Sequence, residues 1–153
     1  MSFDNIIAFT AVEFHAALTT PFFIDFTNRI LVEGFDLASS MKHILTATAQ
    51  SSVARHTNIL LMHRVSGSSS IASTLYVFTH PRWRPWGHRL SPACPVCASP
   101  HSWSNEVRTG STYSFACRYP FCRGSCSFDK PDGFELYTDD VKGGRWMKKD
   151  YRF

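Results

Sequence analysis

Five cysteines within a short stretch offer the clearest chemistry in the sequence. They occur as a CPxC pair, then after nineteen intervening residues a CxxxxC pair, then one further cysteine. Two thiolates on each of two tight turns are typical of a zinc ribbon, in which four sulfurs enclose one metal ion. The sequence therefore predicts one structural zinc site. Its predicted ligands are Cys94, Cys97, Cys117 and Cys122.

The fourth ligand and the metal are open to other interpretations. Four residues separate Cys117 from Cys122 instead of the commoner two, so Cys126 is a reserve ligand. Cys122 ranks first because Tyr119–Phe121, with its central proline, can form a turn. Iron can also be held by four cysteines, and free thiols or two disulfides with one thiol left over are further alternatives. Four thiolates fill a tetrahedral shell, so the metal is expected to support folding and not catalysis.

Short strands are predicted to deliver these cysteines. The residues between the two pairs can run out and back around Thr109-Gly110. Tyr113 and Phe115 alternate with smaller residues before Cys117, which is the pattern of a half-buried strand. Ser125–Phe128 follows as another strand, with a small side chain at Cys126. A last strand pair is predicted around Gly143-Gly144.

Residues 1–80 are predicted to form two helices and a β-hairpin. Thr20 is the expected N-cap of the first helix, with Pro21 at its first position and Gly34 after its end. Asp36 is expected to cap the second helix. Its apolar face would consist of Leu37, Met41, Ile44 and Leu45.

The hairpin would join residues 58–65 to residues 73–80 across the serine-rich loop 66–70. Two helices on one hairpin make a small core, so this half could also be the end of a larger α/β domain, or it could dimerise through a sheet edge. The predicted fold class is therefore α+β, or the end of a larger α/β domain, followed by a β-rich zinc-ribbon-like module. The expected boundaries are residues 1–80, a junction at 81–93, and the module at 94–153.

The junction is rich in Arg, Trp and Pro. Its best candidates for contact with a partner are Arg82, Arg84, Trp86 and Arg89. Cations interleaved with aromatic rings can bind phosphates and stack on bases, which makes nucleic-acid binding one hypothesis. Equally, a ribbon has little core, and the tryptophans can pack on it under arginine stems. A protein-interaction or scaffolding module explains the same residues without a nucleic acid.

The charge distribution and the lack of the usual catalytic motifs limit the classes of function that the chain is expected to have. Residues 1–80 hold four Lys or Arg against five Asp or Glu, whereas residues 81–153 hold twelve against seven. The usual nucleotide-binding, nucleophile-elbow and HExxH motifs do not occur, and every cysteine lies in the predicted ribbon. We therefore expect no catalysis within this chain. The first thirteen residues carry no Lys or Arg, so we expect no secretory signal. The most hydrophobic stretch is interrupted by Asp25, Arg29, Glu33 and Asp36, so we expect no membrane helix. The expected protein is therefore intracellular, cytoplasmic or nuclear, without membrane association.

The order of these motifs also suggests a relationship. Arg-Pro-Trp-Gly at 84–87, the CPxC pair at 94–97 and the CxxxxC pair at 117–122 follow a strand, over roughly residues 55–150. This layout resembles the C-terminal region of a group of mostly basidiomycete fungal proteins to which no activity is assigned. The resemblance implies that the chain is a fragment or a degenerate copy of a longer protein, such as the C-terminal fragment of a larger fungal enzyme whose catalytic residues lie outside this chain.

Overall fold

The computed structural model describes residues 5–13, 15–49, 52–65 and 70–152. The chain divides into two units, the first made of Met1–Phe78 and Gly133–Phe153 and the second of Thr79–Asp132. Helices and strands occur together in it, which confirms the predicted α+β class. No helix among the described residues is long and apolar enough to span a membrane.

A five-stranded sheet forms the frame of the first unit. Its strands lie in the order β1-β2-β3-β8-β7. They are β1 (Asn5–Phe9), β2 (Ile59–Arg64), β3 (Ile71–Thr79), β7 (Glu135–Leu136) and β8 (Arg145–Arg152). The predicted hairpin is present, because β2 and β3 pair antiparallel with Ile59 opposite Tyr76. Most of the predicted serine-rich loop, residues 66–69, lies outside the described residues.

The helices of the first unit partly follow the sequence prediction. Helix α1 (Ala16–Phe26) begins earlier than expected, with His15 as N-cap and Pro21 inside it. It continues as a π-helical turn over Thr27–Val32, after which Gly34 adopts a positive φ of 74°. Thr20 is therefore not the N-cap, and Pro21 does not occupy the first helical position. A proline inside a helix removes one backbone hydrogen bond, which the continued helix tolerates here.

Helix α2 (Leu37–Thr48) has both the N-cap and the buried apolar face that the sequence predicts. The Asp36 carboxylate accepts a hydrogen bond from the Ser39 amide at 2.9 Å, as an N-cap should. All four predicted apolar-face residues are buried. A short helix α3 (Ser52–His56), which the sequence analysis did not predict, connects α2 to the sheet.

Gly144 is required by close packing in the first unit. A Cβ atom built there would overlap the ring of Phe78, which itself packs edge-on against buried Trp146 at 5.4 Å between centroids. The backbone of Gly144 does not need a positive φ, so the constraint is one of space alone.

We expect Gly144→Ala to destabilise the first unit by about 1–3 kcal/mol, because overpacking displaces neighbouring side chains. Chemical denaturation with and without a second change, Phe78→Leu, checks this. The smaller side chain should relieve the overlap, so the double variant should lose less than the sum of the two single losses. Simple additivity would contradict the packing explanation.

The second unit contains a separate three-stranded sheet. Its strands β4 (Val107–Thr109), β5 (Thr112–Ala116) and β6 (Ser125–Asp129) lie in that order, and both pairs are antiparallel. The predicted turn lies between β4 and β5, where Gly110 has a φ of 60°. Tyr113 and Phe115 point to the interior, as their alternation predicted.

The expected domain boundaries differ from the structure in two places. The C-terminal strand pair was assigned to the ribbon module at 94–153, but β7 and β8 belong to the five-stranded sheet of the first unit. The physical reason is that β8 has a hydrogen-bonded neighbour in β3, which is distant in sequence. The junction 81–93 likewise lies within the second unit.

Candidate metal centre

The two cysteine pairs meet in the second unit. The Sγ atoms of the four cysteines all lie within 4.8 Å of one another. Cys94 and Cys122 are 3.8 Å apart, and Cys97 and Cys117 are 3.7 Å apart. A tetrahedral ion with metal–sulfur bonds of about 2.3 Å requires sulfur–sulfur distances of about 3.8 Å. The members of this four-cysteine cluster are Cys94, Cys97, Cys117 and Cys122.

The first turn of the cluster, residues 94–99, is closed by its own backbone. The Ala98 amide donates to the Cys94 carbonyl at 2.8 Å, and the Cys94 amide donates to the Ser99 carbonyl at 3.1 Å. Ala98 adopts a φ of 56°, a conformation that costs a residue with a Cβ atom roughly 1–2 kcal/mol. This turn directs the Cys94 and Cys97 sulfurs to the same side.

The second turn, residues 117–124, explains the unusual four-residue spacing. The Cys122 amide donates to the Tyr119 carbonyl at 3.0 Å. Pro120 precedes Phe121, whose φ is 64°. Proline followed by a residue of positive φ is the pattern of a type II turn. The predicted Tyr-Pro-Phe turn is therefore present, and it shortens the path between Cys117 and Cys122.

Backbone amides point at three of the four sulfurs, in each case from two residues further along the chain. The Tyr119 amide lies 3.4 Å from Cys117 Sγ, and the Gly124 amide lies 3.4 Å from Cys122 Sγ. Ser99 supplies the equivalent backbone hydrogen bond to Cys97. Such donors stabilise thiolates, and outer-shell hydrogen bonds of this kind orient metal ligands.

Gly124 lies directly against the cluster. A Cβ atom at this position would be 2.5 Å from Cys94 Sγ and 3.3 Å from Cys122 Sγ. It would also approach the Val96 side chain at 3.3 Å. Only a residue without a side chain fits beside the sulfurs here.

The thiols of the cluster differ in acidity. The pKa of Cys117 is lowered to about 7. The main cause is the hydrogen bond with the Ser102 hydroxyl, 3.3 Å from Cys117 Sγ, and the Tyr119 amide lowers it further. For Cys122, the Gly124 amide lowers the pKa, but removal from water and the three neighbouring thiols together raise it to about 12. The neighbouring thiols therefore oppose ionisation of Cys122, and a bound cation would relieve the repulsion between thiolates.

The reserve ligand lies outside this arrangement. Cys126 is in β6 opposite Phe115 and does not belong to the four-cysteine cluster. Burial, then the charge of Cys94, raises the pKa of the Cys126 thiol. The cluster thus contains Cys122, the fourth ligand that the Tyr-Pro-Phe turn predicts.

Two of the four predicted contact residues are interior residues. Arg84 and Trp86 are each only 4% exposed. Trp86 packs on Tyr113 at 5.0 Å between ring centroids, and the Arg108 guanidinium lies 5.2 Å from the Trp86 ring. Burial, then the charge of Arg89, lowers the pKa of Arg84 to about 10. Arg84 and Trp86 therefore pack in the interior of the second unit and do not form a binding surface. A unit with so small a core relies on aromatic rings to fill its interior.

The other two predicted contact residues are exposed. Arg82 forms an ion pair with Glu106 at 3.5 Å, and Arg89 also lies at the surface. The structure therefore does not present the four residues of the junction as one continuous binding surface. The exposed residues that sequence reasoning missed are on the cysteine turns themselves, where Tyr119 and Phe121 were interpreted only as turn formers.

Comparisons of the chain with protein-family models, with curated proteins and with solved structures find no significant match.

Proposed function

We propose that the second unit is a non-catalytic zinc module, and that the chain acts as a protein-interaction or scaffolding unit organised by this metal. The observation that supports this most directly is the four-cysteine cluster, whose sulfur–sulfur distances of 3.7 and 3.8 Å match the edges of a tetrahedral metal–thiolate site. A disulfide would instead need sulfurs about 2.0 Å apart.

A structural role for the zinc follows from its ligands. Four thiolates complete the tetrahedral shell, so no position is left for a water molecule or a substrate. The second unit has a small interior of aromatic side chains, and two of its turns contain residues of strained positive φ, Ala98 and Phe121. Structural zinc contributes roughly 10–16 kcal/mol at neutral pH, enough to stabilise such turns.

An interaction role is favoured over nucleic-acid binding by the burial of Arg84 and Trp86. The nucleic-acid hypothesis depended on the junction residues acting together, and two of them instead stabilise the interior. Phosphate binding also requires several accessible cations, and affinity falls steeply with salt in proportion to their number.

We expect one zinc ion per chain and five reduced thiols in protein purified without chelator. Inductively coupled plasma mass spectrometry gives the metal, and thiol titration after denaturation gives the thiol count. Iron in place of zinc would change the metal but keep the site. Absence of both metals together with oxidised thiols would contradict the proposal.

A further inference from the structure

The two cysteine turns carry an exposed apolar patch. Val96 and Tyr119 expose 70% and 56% of their surface, and Phe121 is fully exposed. The Val96 side chain reaches the Gly124 position of the second turn, so both turns contribute to one surface. We call Val96, Tyr119 and Phe121 the knuckle patch.

Phe121 combines an unfavourable backbone conformation with a fully exposed ring. Its φ of 64° is a conformation that glycine or asparagine adopts more easily than phenylalanine. Its ring gains nothing from burial within the described structure, since it is fully exposed. A bulky aromatic side chain on a rigid, metal-anchored turn is the kind of residue that dominates binding energy at interfaces.

Two exposed arginines, Arg118 and Arg123, flank the second turn, on which Tyr119 and Phe121 lie. The nearest acidic residues in sequence on either side, Glu106 and Asp129, lie outside this turn, and Glu106 forms an ion pair with Arg82. Arg118 is held by a hydrogen bond to Asn105 at 3.2 Å. An apolar centre bordered by cations is complementary to an apolar side chain flanked by carboxylates.

We propose that the knuckle patch docks an acidic peptide segment of a partner protein, with a bulky apolar side chain of that segment packing on Phe121 and Val96 and its carboxylates facing Arg118 and Arg123. This inference rests on the proposed zinc module, because the metal fixes both turns. A single-stranded nucleic acid could stack on Tyr119 and Phe121, but Val96 has no ring and only two arginines adjoin the patch, too few for a basic groove that follows a phosphate backbone.

The test is to pan a phage-displayed library of random peptides on the zinc-loaded full chain. We expect enriched peptides that combine Asp or Glu with an aromatic or large aliphatic residue. Synthetic fluorescent copies should bind in anisotropy measurements. Phe121→Asn should weaken their binding by at least about 10-fold, because asparagine keeps the turn but removes the ring. Arg123→Glu should also weaken binding.

Matched controls separate binding from folding. Val107→Ser removes an exposed apolar side chain elsewhere in the same unit, and Arg64→Glu reverses an exposed charge in the first unit; both should bind like the unchanged protein. Phe121→Asn should retain one zinc per chain and its melting temperature. Equal peptide binding by Phe121→Asn, no enrichment of acidic peptides, or tighter and salt-sensitive binding of poly(dT) would overturn the docking surface. A chain without zinc would instead overturn the proposed module itself.

Discussion

Replacing Cys94 by serine is expected to release the metal and unfold the second unit. Cys94 is the most buried of the cluster, only 1% exposed, so a serine there would leave a poor ligand in a site closed to water. The variant should lose most of the roughly 10–16 kcal/mol that structural zinc supplies. Zinc content, together with amide hydrogen exchange across Thr79–Asp132, measures both effects.

The matched control is Cys126→Ser, which changes a cysteine of the same sheet that lies outside the cluster. We expect it to keep one zinc per chain with a loss of about 1 kcal/mol or less. Cys117→Ser should behave like Cys94→Ser. Equal zinc loss in all three variants would contradict the assignment of Cys122 as fourth ligand.

Gly124→Ala should weaken metal binding without removing any ligand. The added methyl group would lie 2.5 Å from Cys94 Sγ, so the sulfur or the second turn must move. Displacements next to a metal site typically cost about 10- to 100-fold in affinity. Competition with a chromophoric zinc chelator measures this affinity directly.

Gly110→Ala provides the comparison. Gly110 has a φ of 60° and nothing within 4 Å of its added Cβ atom, so alanine there strains the β4–β5 turn without approaching the cluster. We expect reduced stability and a clearly smaller loss of zinc affinity than in Gly124→Ala, because folding of the second unit and zinc binding are coupled. If the two variants bound zinc equally, steric exclusion at Gly124 would not be the reason for that glycine.

Local patterns predicted the elements that local interactions determine. Helix α2 was predictable because its apolar spacing and the Asp36 cap both act within a few residues. The strand β1 was missed, since Asn5–Phe9 is short and gains its identity only from pairing with β2, about fifty residues away. The assignment of β8 to the wrong module has the same cause, because its neighbour β3 is remote in sequence.

In the candidate site, too, one part was predictable from local sequence and another part was not. The four-cysteine cluster followed from spacing and turn chemistry, both of which are local. The burial of Arg84 and Trp86 did not, because a sequence of alternating Arg and Trp is equally typical of a binding surface and of a thin aromatic interior. The knuckle patch carried a signal that was available in the sequence: Phe121 follows proline in a tight turn, where a large apolar residue has no place to be buried.

Strands β3 and β8 are neighbours in the five-stranded sheet, but the whole second unit lies between them in the sequence. On the ribosome β3 therefore emerges well before its partner, and the whole second unit must be translated in between. At about 5–20 residues per second this takes several seconds, during which one edge of β3 and its apolar segment Leu75–Phe78 stay unpaired. Co-translational chaperone contact is therefore expected to concentrate on this nascent edge.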